Sequence, residues 1–501
     1  MFEFDRGGGA SVITSERRAS AVDNGQPALL LPMSSLSSLG SLSASAVQAV
    51  TDLVERLGGE QAASPVPEPL QAADLINLIR SMEELKGAAA AVQAVAAVRF
   101  DEMQRREQAE AGVRPQDLGR GVGAQIALAR RESPLRGGRY LGLGKALLHE
   151  LPCTFRALRQ GKLSEWRATL VARETACLDP EDRAALDAAV LGDPEETEKL
   201  GDKALVERLR RGTYRIDPAA VVRRARKAEN ERYVSCRPAP DTMTWVTGLL
   251  PVAQGVAVYA ALSREADRMR CMGDPRGRGQ IMADTLVERV TGTPAASGPR
   301  IEVQLILTDR TRLRGDKEPA VLAGYGTVPA GWARDLVRSA PEATLRRLYT
   351  APASGELIAM DSRARIFPQG LARFITTRDQ RCRTPWCGAP VRHIDHVQGH
   401  AAGGSTSAGN GQGLCENCNY TKQAPGWSHR VAAPPATRPV AGGARLRQTD
   451  GGPPGGRVGV GGSQGSEQDI EIRTPTGHRY VSAPPVLPGS VDALAQVHSP
   501  G

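Results

Sequence analysis

Aromatic side chains are scarce in this chain of 501 residues: five Trp, eight Tyr and six Phe make up 4% of it. One compact globule of that length would need more large rings to fill its centre. Long apolar runs are missing as well. The most apolar stretch, Gly87 to Val98, is alanine-rich and too short to span a bilayer. The start, MFEFDRGGGA, has no basic region followed by an apolar core, so no secretory leader is expected. Cysteine is sparse too. Eight in the whole chain exclude a disulfide scaffold and shift attention from their number to their spacing. These absences lead to the expectation of a cytoplasmic chain with no membrane partner.

Glycine and proline, by contrast, are plentiful at 54 and 35, while hydrophobics still reach 41%. That mixture suits folded modules joined by flexible chain. Lys and Arg number 64 against 55 Asp and Glu, a net +9 that is compatible with nucleic acid without proving it. Composition shifts divide the chain into a disordered tail over 1–65, a helical domain over 66–300 and a mixed connecting region over 301–362. A compact Cys/His-rich module over 363–430 and a Gly/Pro-rich disordered tail over 431–501 follow, the last holding a short island, EIRTPTGHRYV, that is expected to dock on another part of the chain or on a partner.

Apolar or small residues recur three and four apart at Leu75, Leu78, Met82, Leu85, Ala89, Val92 and Ala96. This predicts one long helix over 70–111, ended by Gly112 and Pro115, that packs in a bundle or pairs two copies of the chain as a homodimer. Further amphipathic helices are expected at Leu163 to Cys177, Pro180 to Val190, Ala219 to Arg232, Gln254 to Met272 and Ile281 to Val290. The third is opened by Asp217 as N-cap and Pro218 at the first helical position. Arg208, Arg210, Arg211, Arg215, Arg223, Arg224, Arg226 and Lys227 are read as a solvated helix face, with DNA-backbone contact as the less favoured alternative. Ile301 to Thr308 is the clearest strand.

Two tempting motifs fail. GLGKA, at Gly142 to Ala146, lacks the earlier glycine and the final Ser/Thr of a phosphate loop, and Gly119, Gly121 and Gly123 follow no strand. Cys153, Cys177, Cys236 and Cys271 are isolated and are read as small buried hydrophobes.

Chemistry concentrates in residues 378–427. Cys382 and Cys387 form one knuckle, Cys415 and Cys418 a second, and four thiolates so paired can wrap one tetrahedral Zn²⁺. In a small module with little apolar sequence, the metal would supply the folding energy. Between the knuckles, His393-Ile394-Asp395-His396-Val397 reads as a strand, followed by a Gly-rich loop containing Asn410. The second knuckle opens a short helix from Cys415 to about Gln423. The order is strand, loop, strand, helix.

These residues resemble the HNH (ββα-metal) endonuclease domain. The resemblance rests on the two knuckles, Asp395-His396, the run Gly403 to Thr406, Asn410-Gly411 and Leu414-Cys415 through Asn419 to Lys422. The wider chain is similar to actinobacterial HNH endonucleases carrying an N-terminal helical domain of unknown function 222, through ELPCTFRALRQGKLSEWRA, Asp217-Pro218 and QIMADTLVERV. The resemblance implies a mainly α N-terminal domain plus a small zinc-stabilised ββα-metal α+β domain. It also implies DNA, most simply double-stranded, as partner. By resemblance, His396 is the general base, Asp395 and Asn419 hold a catalytic divalent ion, and Asn410 braces the loop that orients His396. Asn419 stands where many members have His, and its harder amide oxygen favours Mg²⁺ or Mn²⁺. Arg392 and Lys422 are candidate phosphate contacts. His393 and His400 are assigned structural rather than ligating roles, and Trp386 and Trp427 are expected to pack the module. The competing readings are a non-catalytic zinc-binding module for nucleic acid or protein, and a coiled-coil interaction protein with a zinc clip.

Overall fold

A computed structural model describes residues 45–54, 71–293, 305–313, 315–339, 366–432 and 469–485. Residues 45–54, expected to be part of a disordered tail, form a helix, α1. The long helix α2 (Ala72–Glu110) opens where the Asp74 carboxylate accepts the backbone N–H of Gln71 at 3.1 Å. It ends at Gly112, which adopts φ +77°. Its buried face is built from small residues, Gly87, Ala90, Ala91, Ala94 and Ala97 with Val98. Small side chains allow close helix approach. A Cβ on Gly144 of the facing helix would lie 2.9 Å from the Ala94 carbonyl oxygen.

Against this face pack α3 (Val122–Ala129), α4 (Pro134–His149), α5 (Pro152–Arg159) and α6 (Glu165–Glu174). α7 (Pro180–Leu191), α8 (Pro194–Glu198) and α9 (Asp202–Ile216) complete the bundle, whose core includes Leu147, Leu158, Leu163, Val171, Leu191 and Leu205. Burying these side chains supplies the stabilisation that a chain poor in aromatics must draw from aliphatics. The fully buried Asp187 of α7 caps α5. Its carboxylate accepts the N–H of Cys153 at 2.6 Å and of Thr154 at 3.1 Å, and burial raises its pKa. The Asp217 carboxylate likewise accepts the Ala220 N–H at 2.8 Å and starts α10 (Pro218–Asn230), as its sequence predicts.

The region after α10 departs from an all-helical reading. β1 (Tyr233–Pro238) and β2 (Thr244–Leu249) pair as an antiparallel hairpin. Its turn places both Asp241 and Thr242 at positive φ, the backbone of a type I′ turn without the usual glycine. α11 (Val252–Cys271) and α12 (Arg278–Thr291) follow, with Val252, Val256, Tyr259 and Val290 exposed. Of the predicted strand over 301–308, residues 301–304 lie outside the described residues. Its remainder forms β3 (Leu305–Ile306), followed by α13 (Asp309–Leu313), β4 (Ala320–Leu322), β5 (Gly326–Val328) and α14 (Ala330–Ser339), with strand order β3-β4-β5. Cys236 and Cys271 are exposed rather than buried, because the hairpin and the end of α11 are solvated.

The Cys/His-rich module comprises α15 (Gln369–Asp379), β6 (His393–His396), β7 (Gly411–Leu414), α16 (Glu416–Lys422) and β8 (Ser428–Val431). The expected disordered tail over 431–501 needs correction for its described part. β9 (Ile470–Arg473) and β10 (Arg479–Ser482) form a hairpin that extends β8 into a sheet of order β10-β9-β8. Alternation explains it: Ile470 and Ile472 face inward onto Val397 and Trp427 while Glu471 pairs with Arg430. Among the described residues no helix is long and apolar enough to cross a membrane.

Candidate nuclease and metal centre

β6 and β7 pair antiparallel with His393 opposite Leu414, Asp395 opposite Gln412 and His396 opposite Gly411. α16 packs on β6, so the module has the strand, strand, helix order its sequence predicts. A buried ion cluster fixes it. Asp379, at the end of α15, accepts Arg378 Nε at 2.7 Å, Arg383 Nη1 at 3.0 Å and the Gly413 N–H of β7 at 2.6 Å. Arg378 also donates to the carbonyls of Ala408 and Gly411, at 2.6 and 2.7 Å, and so pins the loop before β7. Two of the module's basic residues are therefore spent inside it rather than on a phosphate-facing surface.

The two knuckles converge. The sulfurs of Cys382, Cys387, Cys415 and Cys418 all lie within 4.8 Å of one another, and Cys387 is 3.7 Å from both Cys415 and Cys418. Zn–S bonds of about 2.3 Å give a tetrahedron with edges of about 3.8 Å, so the donor set fits a Zn²⁺ ion. No disulfide links these thiols. Hydrogen bonds from Cys387 and its neighbours hold the Cys382 thiol far below its ordinary range, while Cys382 pushes Cys387 and Cys418 up. Four sulfurs this close cannot all be thiolates unless a cation sits among them. Cys415 also caps α16, its sulfur accepting the Cys418 N–H at 3.5 Å.

His396 is 8% exposed, and its Nε2 lies 2.9 Å from the hydroxyl of Thr406, itself buried. Phe367 packs beside the imidazole, ring centres 4.5 Å apart. Asn410 ties the intervening loop across its base: its Oδ1 accepts the Gln398 N–H at 2.8 Å, and its Nδ2 donates to the carbonyls of Gln398 (3.0 Å) and Ser405 (2.7 Å). The loop has no room for more. A Cβ on Gly404 would stand 1.9 Å from the Gln398 carbonyl oxygen and 2.7 Å from Asn410 Nδ2.

Lys422 is not free to reach outward. Its ammonium donates to Asp395 Oδ2 at 2.6 Å and to the His396 carbonyl, and its side chain is 13% exposed. One helical turn earlier, on the same face of α16, the Asn419 Oδ1 atom is buried without a hydrogen-bond partner among the described residues. A buried amide oxygen with no donor is costly, and a divalent cation shared with Asp395 would satisfy it. Arg392 is exposed and tied through its backbone N–H to Leu414. His393 and His400 are exposed, while Trp386 meets Tyr480 edge-on at 5.9 Å.

Two residues beneath the site escaped sequence reasoning. Gln412 is fully buried and donates Nε2 to the His396 carbonyl at 3.3 Å; its Oε1 lies 3.0 Å from His429 Nδ1. That amide orientation requires His429 to carry its proton on Nδ1. Burial holds the His429 pKa down at about 3, with the Lys422 charge adding to the effect. The period-two pattern of β7 places Gln412 on the same side as Asp395, but no local motif announces its partner on β8.

A family model described as a domain of unknown function, DUF222, matches residues 79–379. The chain belongs to the DUF222 family. Directly after that match, the HNH endonuclease model covers residues 380–424, which hold all four clustered cysteines, Asp395, His396, Asn410 and Asn419. This DUF222 chain therefore carries an HNH region on the C-terminal side of its family domain, and that region supports a nuclease-type function. No curated protein matches the chain, and no solved structure does. The HNH match stops short of β8, β9 and β10, although Arg383 in the first knuckle donates to the Ser482 carbonyl at 2.5 Å.

Proposed function

We propose that this protein is a metal-dependent HNH endonuclease that hydrolyses phosphodiester bonds of double-stranded DNA. The observation that carries the reading is the unpartnered Asn419 oxygen on the face of α16 that also lays Lys422 across Asp395 and the His396 carbonyl. His396 is the general base that takes a proton from the attacking water, a task for which imidazole is suited near neutral pH. Thr406 holds the plane of that ring, and Asn410 keeps the loop carrying Thr406 closed over it. Asp395 and Asn419 would hold a Mg²⁺ or Mn²⁺ ion, which when bound stabilises charge on the phosphate and leaving oxygen. Lys422, whose ammonium donates to Asp395, would stand beside that ion and meet the phosphate. The four cysteines hold a structural Zn²⁺. Arg392, exposed at the start of β6, is positioned to meet a phosphate.

The small-residue face of α2 over 87–98 is occupied within the chain, whereas Leu75, Leu85 and Val92 of the expected pairing seam lie on another face and are exposed. α4 and α5 cover the small-residue face only.

The test is conversion of supercoiled plasmid to nicked circles with Mg²⁺ or Mn²⁺, compared with His396→Ala. Equal protection of plasmid by both proteins would sink the enzyme reading. Asn419→Ala should weaken Mn²⁺ binding measured by calorimetry, a readout independent of cleavage. Unchanged Mn²⁺ affinity would remove Asn419 from the site.

A further inference from the structure

The helical domain carries an abrupt charge boundary. Residues 179–202, from the start of α7 to the start of α9, hold nine acids and two bases. Residues 203–227 hold nine bases and two acids. A merely solvated helix face mixes the two signs, because alternation adds stabilising pairs three and four residues apart. Here α9 and α10 do the reverse. Arg208, Arg211 and Arg215 lie three and seven positions along one side of α9, and Arg223, Arg226 and Lys227 crowd one side of α10. Like charges at these spacings destabilise a helix unless an outside anion compensates them.

The side chains divide into two groups. Arg210 and Arg224 turn inward onto the buried Glu174, the first to its carboxylate at 2.9 Å and the second to its carbonyl at 3.2 Å. Arg211 and Arg223 reach Glu207 and Asp217. Arg208, Arg215, Arg226 and Lys227 are exposed and have no ion-pair partner among the described residues. Tyr214, 57% exposed and next to Arg215, adds a phenolic hydroxyl to the same helix.

We propose that α9 and α10 form a second DNA-contact surface, one that binds the sugar–phosphate backbone of duplex DNA without reading its bases. Arginine forks with an adjacent hydroxyl match phosphate oxygens, and such contacts fix orientation rather than sequence. The choice of DNA over another polyanion rests on the nuclease reading of the HNH region. The surface lies on the DUF222 domain and would hold the duplex while the HNH region acts on it.

The test measures binding, not cleavage. Full-length His396→Ala protein is titrated into a fluorescent duplex across a range of salt concentrations. It is compared with the same chain carrying Arg208→Gln, Arg215→Gln, Arg226→Gln and Lys227→Gln. Each phosphate contact contributes about 0.9 to the slope of log K against log salt, so the slope should fall by about 2 to 4. A companion carrying Lys at the three arginines keeps the charge and should keep the slope. Circular dichroism confirms that the helices persist, since Gln is a good helix former. Equal slopes and affinities in all three proteins would overturn the proposal, as would absence of duplex binding by the parent. Salt-sensitive self-association in light scattering, with no effect on duplex binding, would instead assign the basic face to the acidic stretch of another copy. Because no step needs catalysis, an inactive nuclease leaves this result interpretable.

Discussion

Thr406 gives the sharpest way to probe how this site holds its histidine. Replacing it with Val keeps the β-branched shape and removes only the hydroxyl that lies 2.9 Å from His396 Nε2. Thr406 is 2% exposed and His396 is 8% exposed, so water has poor access to the nitrogen left behind. A buried polar group deprived of its partner costs about 1–3 kcal/mol. The ring can escape that penalty only by turning, which the flanking Phe367 and the Asn410-braced loop oppose. If the penalty falls on the productive orientation, about 1–3 kcal/mol corresponds to a rate loss of about 5- to 150-fold. Plasmid nicking under single-turnover conditions reads this directly, with thermal melting to confirm that the module remains folded. Thr406→Ser retains the hydroxyl and should recover most of the rate. Wild-type nicking by a folded Thr406→Val protein would refute the argument, and so would a Ser variant as slow as the Val variant.

Two further outcomes follow from the metal knuckles and the buried histidine. Metal analysis should find one zinc per chain, and Cys418→Ser or a strong chelator should abolish the unfolding transition of residues 366–432 while the helical domain still melts; a module that stays folded without metal would contradict the zinc role. His429 is held near pKa 3 by burial, against 6.5 ordinarily, so the unfolded chain takes up a proton that the folded chain refuses. Its contribution to stability is complete above pH 6.5 and is lost as pH falls toward 3, at about 1.4 kcal/mol per pH unit within that window. Denaturant midpoints at pH 7 and 5, with zinc content monitored, should show this slope in the parent and a flatter one in His429→Gln, and identical slopes would refute it.

Much of the candidate site was legible because its signals are local. The cysteine spacings, the strand His393 to His396 and the helix after Cys415 each sit within a few residues, and the structure brings the four sulfurs together as the spacing implied. Periodicity found α2 but not its buried face, since Leu75, Leu85 and Val92 are exposed while Gly87, Ala90, Ala91 and Ala94 are buried. The Asp217-Pro218 pair marked the start of α10, because capping is decided by neighbours in sequence. The β1–β2 hairpin was missed because Asp241 and Thr242 make its turn without a glycine. The ion pair of Lys422 with Asp395, 27 residues away, was not legible beside its reading as a phosphate contact. Nor does any local pattern tell that Arg378 and Arg383 are buried on Asp379. The island EIRTPTGHRYV stood out as a docking segment, but its pairing with β8, like the Gln412–His429 contact, spans a long separation that no local pattern encodes.

The β8–β9–β10 sheet has a consequence for the order in which this protein matures. All four clustered cysteines lie within residues 382–418, so a growing chain holds them well before it reaches β9. Val397, directly after the proposed base, meets Ile470 and Ile472 only after 37 further residues separating Ala432 from Ile470 have been synthesised. Arg383 must wait longer still, until Ser482 arrives. The cysteine cluster is therefore complete in a growing chain before the sheet behind β6 can close.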